Sequence, residues 1–114
     1  MKKIKIAFTG VFDIDNFGDH LFPIIFENSL RKRKIDVELF LFSPYESTQG
    51  FGIAKKVYSI REMEKLHKIN KFDAIVVGGG EIIHFYSFKQ KNHEEKYVEY
   101  PIFETWIVPS IIGR

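Results

Sequence analysis

The 114-residue chain contains no cysteine, which excludes disulfides, cysteine-ligated zinc and thiol nucleophiles. No apolar run is long enough to span a membrane, and no leader with a small-residue cleavage site is present, so we expect a cytoplasmic protein. A net charge of +2 is too small to indicate a nucleic-acid partner. With 45% hydrophobic and 28% charged residues, the composition predicts a single folded domain over residues 1–114.

Motifs for several common ligand sites are also missing. There is no G-x-G-x-x-G dinucleotide fingerprint, no Gly-Lys-Ser/Thr phosphate loop and no G-x-S-x-G nucleophile element. Asp13, Asp15 and Gly18 imitate three positions of a calcium-binding loop, but Phe17 and Ile24 stand where oxygen ligands are needed. The four histidines lack the spacing of metal ligands. We therefore expect neither a metal nor a bound cofactor.

Apolar periodicity alternates between strand and helix along the chain. Strands are predicted at 4–9, 37–42, 56–58 and 72–77, and helices at 20–34 and 59–70. This alternation predicts an α/β fold, a Rossmann-like parallel sheet in the order 3-2-1-4 with helices on both faces. Because proline is tolerated best in a first helical turn, Pro23 places the first helix start near His20, with Asp19 as its N-cap. The polar segment 86–100 is predicted to be a surface excursion.

Two glycine-bearing loops follow predicted strands. The first runs from Gly10 to Pro23, and the second follows the strand that begins near Asp73. In doubly wound sheets, ligands bind at the carboxyl ends of the strands. In the order 3-2-1-4 the first and fourth strands are neighbours, so the two loops are predicted to lie side by side and form one site. Asn16, Gly18 and Asp19 of the first loop therefore have two interpretations, a ligand contact or a well-capped turn between strand and helix.

The second loop contains three consecutive glycines, Gly78, Gly79 and Gly80. A plain turn rarely needs three, since each glycine costs about 0.5–1 kcal/mol of folding entropy, so backbone amides facing a phosphate or carboxylate are predicted here. A tight turn under a packed helix is the alternative. Glu81 and His84 are weak candidates for acid–base catalysis, and both have ordinary surface roles as alternatives.

The densest basic cluster, Arg31-Lys32-Arg33-Lys34, falls where the first helix should end. Cations there complement the negative end of the helix dipole, which is the simpler interpretation. A site for an anionic surface is the alternative.

The two glycine loops together resemble the start of the polysaccharide pyruvyl transferase family. A strand followed by G-x5-N-x-G-D opening a helix, and then DAIVVGGGEII, carry the resemblance. The matching positions are Gly10, Asn16, Gly18, Asp19, Asp73, Gly78, Gly79 and Gly80, and Trp106 and Pro109 resemble the segment that follows. The resemblance spans nearly the whole chain but only the amino-terminal part of such a protein.

The resemblance implies transfer of a pyruvyl group from phosphoenolpyruvate to a sugar, as a ketal on a surface polysaccharide or its lipid-linked precursor. It also implies a two-domain, glycosyltransferase-B-like architecture with the active site between the halves. The basic residues that hold phosphoenolpyruvate are expected mostly in the other half. The resemblance assigns no role to Glu81 or His84.

This chain is therefore expected to be an amino-terminal fragment that is inactive alone. Its apolar carboxyl-terminal segment around Trp106 is expected to promote self-association. Half of a nucleotide-sugar glycosyltransferase and a non-catalytic Rossmann-like binding module are the alternatives.

Overall fold

The computed structural model describes residues 3–12, 17–47, 56–78, 87–91, 96–101 and 104–113. Four strands form an all-parallel sheet in the order β3-β2-β1-β4, as predicted. The strands of this sheet are β1 (Ile4–Thr9), β2 (Val37–Ser43), β3 (Val57–Ser59) and β4 (Ala74–Val77). The helices are α1 (Phe17–Lys32), α2 (Met63–Asn70) and α3 (Glu104–Ile112), and a 3-10 turn at Ile60–Glu62 precedes α2. The predicted α/β fold is confirmed.

Strand β1 pairs along both of its edges. One edge aligns Ile4 to Thr9 with Val37 to Phe42 of β2, and the other aligns Ile6 to Thr9 with β4. Parallel strands require crossover connections, and α1 and α2 supply them. The first strand of the chain lies inside the sheet because the connection through α2 brings β4 back to the side of β1 that β2 leaves free.

Apolar side chains cover both faces of the sheet. On one face, Ile6 and Phe8 pack under α1, and the Phe8 and Phe26 ring centroids lie 5.2 Å apart. On the other face, Phe42 packs with Phe72 at 5.9 Å, and the residues that α2 and α3 contribute to this cluster are Met63, Leu66, Val108 and Ile112. Alternate residues of each strand therefore contribute to two separate clusters, as expected for a sheet covered on both sides.

The start of α1 differs from the prediction. The helix begins at Phe17 rather than near His20, so Asp19 lies in its first turn and the N-cap assignment for Asp19 was wrong. Pro23 consequently lies within the helix, where it has no N–H to donate to the Asp19 carbonyl. The Pro23 ring is buried, and its burial offsets the backbone bond that proline cannot make.

The predicted surface excursion contains a regular hairpin. Strands β5 (Ser87–Lys91) and β6 (Tyr97–Pro101) form a separate antiparallel two-stranded sheet. The Tyr45 hydroxyl, just beyond the end of β2, donates a hydrogen bond to the Glu99 carbonyl of β6. This bond places the hairpin beside the carboxyl ends of the parallel strands. The strands were not predicted because this segment is rich in charged residues and lacks the apolar alternation of a strand that packs on a core.

Strand β4 lies at one end of the order of the described strands, as the predicted order 3-2-1-4 requires. Val77 is 40% exposed and Ala74 is also exposed. Helix α3 contacts β4 on one face, with Pro109 and Thr105 buried. Trp106 is half-buried, so the structure leaves the predicted self-association of this segment untested.

Lysines occupy the left-handed positions after two of the helices. Lys34 has φ 61° and Lys71 has φ 56°, and the Lys71 amide donates to the His67 carbonyl to close α2. Glycine or asparagine normally holds such a position, since a side chain there costs roughly 1–2 kcal/mol.

We expect Lys71→Gly to be more stable than Lys71→Ala by about 1 kcal/mol, because both remove the charge and only glycine relieves the left-handed backbone. At Lys65, inside α2, the order should reverse by a similar amount. Urea unfolding of the four variants measures both differences. An alanine variant as stable as the glycine variant at position 71 would contradict the backbone argument.

Candidate functional site at the carboxyl edge of the sheet

The two glycine loops leave the sheet side by side. Thr9 is the register partner of Val77, and the Gly78 amide donates to the Thr9 carbonyl at 2.6 Å. Gly10 follows Thr9 directly, so both loops begin at the carboxyl edge of two adjacent strands. The predicted proximity of the loops is confirmed at their first residues. The other candidate positions of the loops, Asn16, Gly79, Gly80, Glu81 and His84, lie outside the described residues.

Packing alone accounts for the first glycine of each loop. A methyl group at Gly78 would overlap the Thr9 carbonyl oxygen and lie 2.5 Å from the Phe8 ring. A methyl group at Gly10 would lie 2.5 Å from the Phe12 ring. The Gly10 amide donates to the Phe42 carbonyl at 3.0 Å, and the Gly78 amide is used in the sheet as well. At these two positions the geometry supports the tight-turn interpretation, and ligand contact stays a prediction.

Ser43 anchors the first loop to the end of β2. Its hydroxyl accepts a hydrogen bond from the Phe12 amide at 2.7 Å and donates one to the Gly10 carbonyl at 2.8 Å. Ser43 is fully buried, and the Phe12 side chain is almost so. A buried hydroxyl that satisfies one donor and one acceptor replaces the ladder bonds that end at the strand terminus. Sequence reasoning missed this residue, because a serine before a proline indicates only a turn.

Asp19 and His20 lie in the first turn of α1, close in sequence to the first glycine loop. His20 is only 2% exposed, and Asp19 is half-buried. Burial raises the pKa of the Asp19 carboxyl, and the charge of His20 offsets part of that rise. A neighbouring imidazole and carboxyl group that interact electrostatically can exchange a proton, and perturbed groups of this kind are common at functional sites. In the sequence, His20 lacks the spacing of a metal ligand, and the signal that could have indicated its role is its position directly after Asp19.

Thr9 ends β1 with a fully buried side chain, and its hydroxyl has no hydrogen-bond partner in the described part of the chain. Its strand position places it on the face that carries α3. An ion pair at 3.3 Å between Arg61 and Glu104 fastens the start of α3 to the 3-10 turn at this same edge. The described carboxyl edge thus combines an unsatisfied hydroxyl, a buried histidine and a carboxyl of raised pKa.

A cavity of about 440 Å³ lies elsewhere, along the outer edge of β4 and near the amino end of that strand. Its lining is His67, Phe72, Asp73, Ala74, Ile75, Val77, Pro109, Ser110, Ile112 and Gly113. The His67 Nδ1 accepts from the Phe72 amide at 3.1 Å, and the two rings stack. Among the described residues no cluster of His, Asp and Glu is arranged to hold a metal ion. None of the glycine-loop residues that the structure describes lines this cavity, which lies apart from Gly10 and Gly78.

The structure defines the chain as an α/β protein with a Rossmann-like parallel sheet. No family model matches the chain, and the searches of curated proteins and of solved structures gave no match either. Within the described ranges, every helix is too short or too polar to cross a bilayer.

We expect Gly78→Ala to lower the free energy of unfolding by about 2 kcal/mol, because the new methyl group overlaps the backbone of β1. Gly18→Ala is the matched control: Gly18 is exposed inside α1, so alanine should be neutral or stabilising there. Thermal and urea unfolding measure both. Equal stability of the Gly78→Ala and wild-type chains would contradict the packing role of Gly78.

Asp19→Asn should stabilise the chain at neutral pH. A carboxyl whose pKa is raised by folding favours its protonated form in the native state, so its contribution to stability is present below the ordinary value of 3.8 and lost as the pH rises through the native pKa. The stability gap between the variant and the wild type should therefore widen from pH 3 towards pH 7. Urea unfolding at several pH values measures the gap, and Glu46→Gln, at an exposed carboxylate, is the control. A gap that narrows as the pH rises would show that folding lowers this pKa.

Proposed function

We propose that this chain is the amino-terminal half of a polysaccharide pyruvyl transferase, which moves a pyruvyl group from phosphoenolpyruvate to a sugar. The observation that carries the proposal is the parallel pairing of β1 with β4, which starts both motif loops at one edge. Two sequence segments more than sixty residues apart would have no reason to form one ligand site if those strands lay apart in the sheet.

The chemistry requires both hydroxyls of a sugar diol to bond to C2 of phosphoenolpyruvate. One hydroxyl proton goes to C3, which becomes the methyl group, and the other leaves with the phosphate. The protein must therefore deliver a proton to carbon and withdraw protons from oxygen. His20 and Asp19 lie in the first turn of α1 and interact electrostatically, which supports them as the groups that transfer these protons.

Cations for the phosphate and carboxylate of the donor are not provided by the loops themselves. Neither glycine loop contains a lysine or arginine, and Arg61 at this edge is paired with Glu104. In the proposed architecture, a second domain of the glycosyltransferase-B-like type faces the carboxyl edge and supplies these cations. The amides of Gly79 and Gly80 and the side chain of Asn16 would then contact substrate from this half.

The test compares the 114-residue chain with the complete gene product that contains it. Each is incubated with phosphoenolpyruvate and a panel of sugar acceptors, and phosphate release and acceptor mass are followed. We expect the chain alone to be inactive and the complete product to release phosphate only with acceptor present. Gly79→Val in the complete product should abolish turnover by adding bulk where the Gly79 amide is proposed to contact substrate, whereas Ile25→Ser, exposed on α1, should retain it.

Turnover by the 114 residues alone would contradict the two-half proposal. Transfer from a nucleotide sugar instead of phosphoenolpyruvate would identify a glycosyltransferase. Binding of either donor without turnover in the complete product would identify a non-catalytic module.

A further inference from the structure

The opposite end of the sheet, where the parallel strands begin, carries exposed basic side chains. We call this the basic edge, and its members are Lys3, Lys32, Arg33, Lys34 and Lys71. Lys3 precedes β1, Lys71 lies three residues before β4, and the other three precede β2. Hydrogen bonds from Ile4 to Asp36 and from Asp73 to Lys5 hold these chain segments beside one another. The sequence cluster at 31–34 is therefore joined by two lysines from distant parts of the chain.

Two carboxylates, those of Asp36 and Asp73, lie at the same edge as the five cations. None of its five members forms an ion pair with a described residue. Arg31, by contrast, pairs with Glu27, and the Asp73 carboxylate accepts a hydrogen bond from the Lys5 amide. A net charge of +2 for the whole chain thus conceals a local positive excess at one edge.

The backbone adds an independent observation. Both non-glycine residues with left-handed φ in the described ranges, Lys34 and Lys71, belong to the basic edge. Glycine would fit these positions without strain, and the dipole of a helix end does not require a lysine at the left-handed residue itself. A residue in a sparsely populated backbone conformation destabilises the fold, and such residues are found most often at functional sites.

Two exposed isoleucines lie in the last turns of helices that end at this edge. Ile69 is 68% exposed in the last turn of α2, and Ile111 is 62% exposed in the last turn of α3. Both helices end at the basic edge: β4 starts four residues after α2, and Gly113 after α3 approaches Ile75. Nucleic acid offers phosphates but no apolar layer, whereas a bilayer interface accepts cations and apolar side chains together.

We propose that the basic edge docks on the surface of an anionic phospholipid bilayer. Lys34 and Lys71 contact headgroup phosphates, and Ile69 and Ile111 enter the headgroup layer. The six residues of β1 separate this edge from the glycine loops by about 20 Å, so the loops face away from the lipid. This docking is independent of the reaction proposed above.

The first experiment measures binding of the 114-residue chain to vesicles. We expect binding to vesicles rich in phosphatidylglycerol, little binding to phosphatidylcholine vesicles, and loss of binding as salt is raised. Lys34→Gln combined with Lys71→Gln should weaken binding about 25-fold, since each charge near such a surface contributes about fivefold. Lys89→Gln with Lys91→Gln, on the hairpin at the opposite edge, removes the same charge and should change binding less than twofold. Equal losses in the two double variants would overturn the proposal.

The second experiment separates lipid from other polyanions. Ile69→Ser with Ile111→Ser should weaken vesicle binding about tenfold. Ile25→Ser, 58% exposed but on α1, is the matched control and should leave vesicle binding unchanged. A duplex DNA probe at the same salt should bind at least tenfold more weakly than the anionic vesicles. Preference for the duplex, or no effect of the two isoleucine substitutions on vesicle binding, would refute docking on lipid.

Discussion

The rest of the molecule depends on one constraint, the pairing of β1 with β2 on one side and with β4 on the other. The residues of β1 alternate between the cluster under α1 and the cluster under α2 and α3, so one six-residue strand joins both halves of the core. Because β2 and β4 both pair with β1 in parallel, the carboxyl ends of the three strands lie together at one end of the sheet and their amino ends lie together at the other. The positions of the glycine loops and of the basic edge both follow from that arrangement.

The two edges of the sheet have different chemistry. At the carboxyl edge, polar groups are buried: the Ser43 hydroxyl is bonded to two backbone groups, and His20 is almost fully covered. At the amino edge, charged groups are exposed and helices end. A parallel sheet produces this asymmetry, because every crossover helix begins at the carboxyl edge and ends at the amino edge. The positive excess thus lies where helix dipoles are negative, and its lysines are held without acidic partners from the described residues.

Gly78 has a packing role in the fold, although its sequence context suggested a ligand-binding role. Gly78 follows a strand and begins a triple glycine, which suggested a ligand loop. Its immediate neighbours are the Thr9 carbonyl and the Phe8 ring, so its lack of a side chain is needed by β1. At Gly79 and Gly80, which lie outside the described residues, contact with a ligand stays a prediction.

Local patterns in the sequence predicted the strands, their parallel order and the adjacency of the two loops, because the period of apolar residues reports burial directly. They did not predict that α1 begins at Phe17, since the tolerance of Pro23 inside the helix depends on how its ring is buried. The hairpin at residues 87–101 was missed because its strands do not pack on the main core. Only the tertiary structure decided three features: the burial of His20, the hydrogen bonds of Ser43, and the position of Lys71 at the same edge as the cluster at 31–34. Each of them depends on segments distant in sequence that meet at an edge of the sheet.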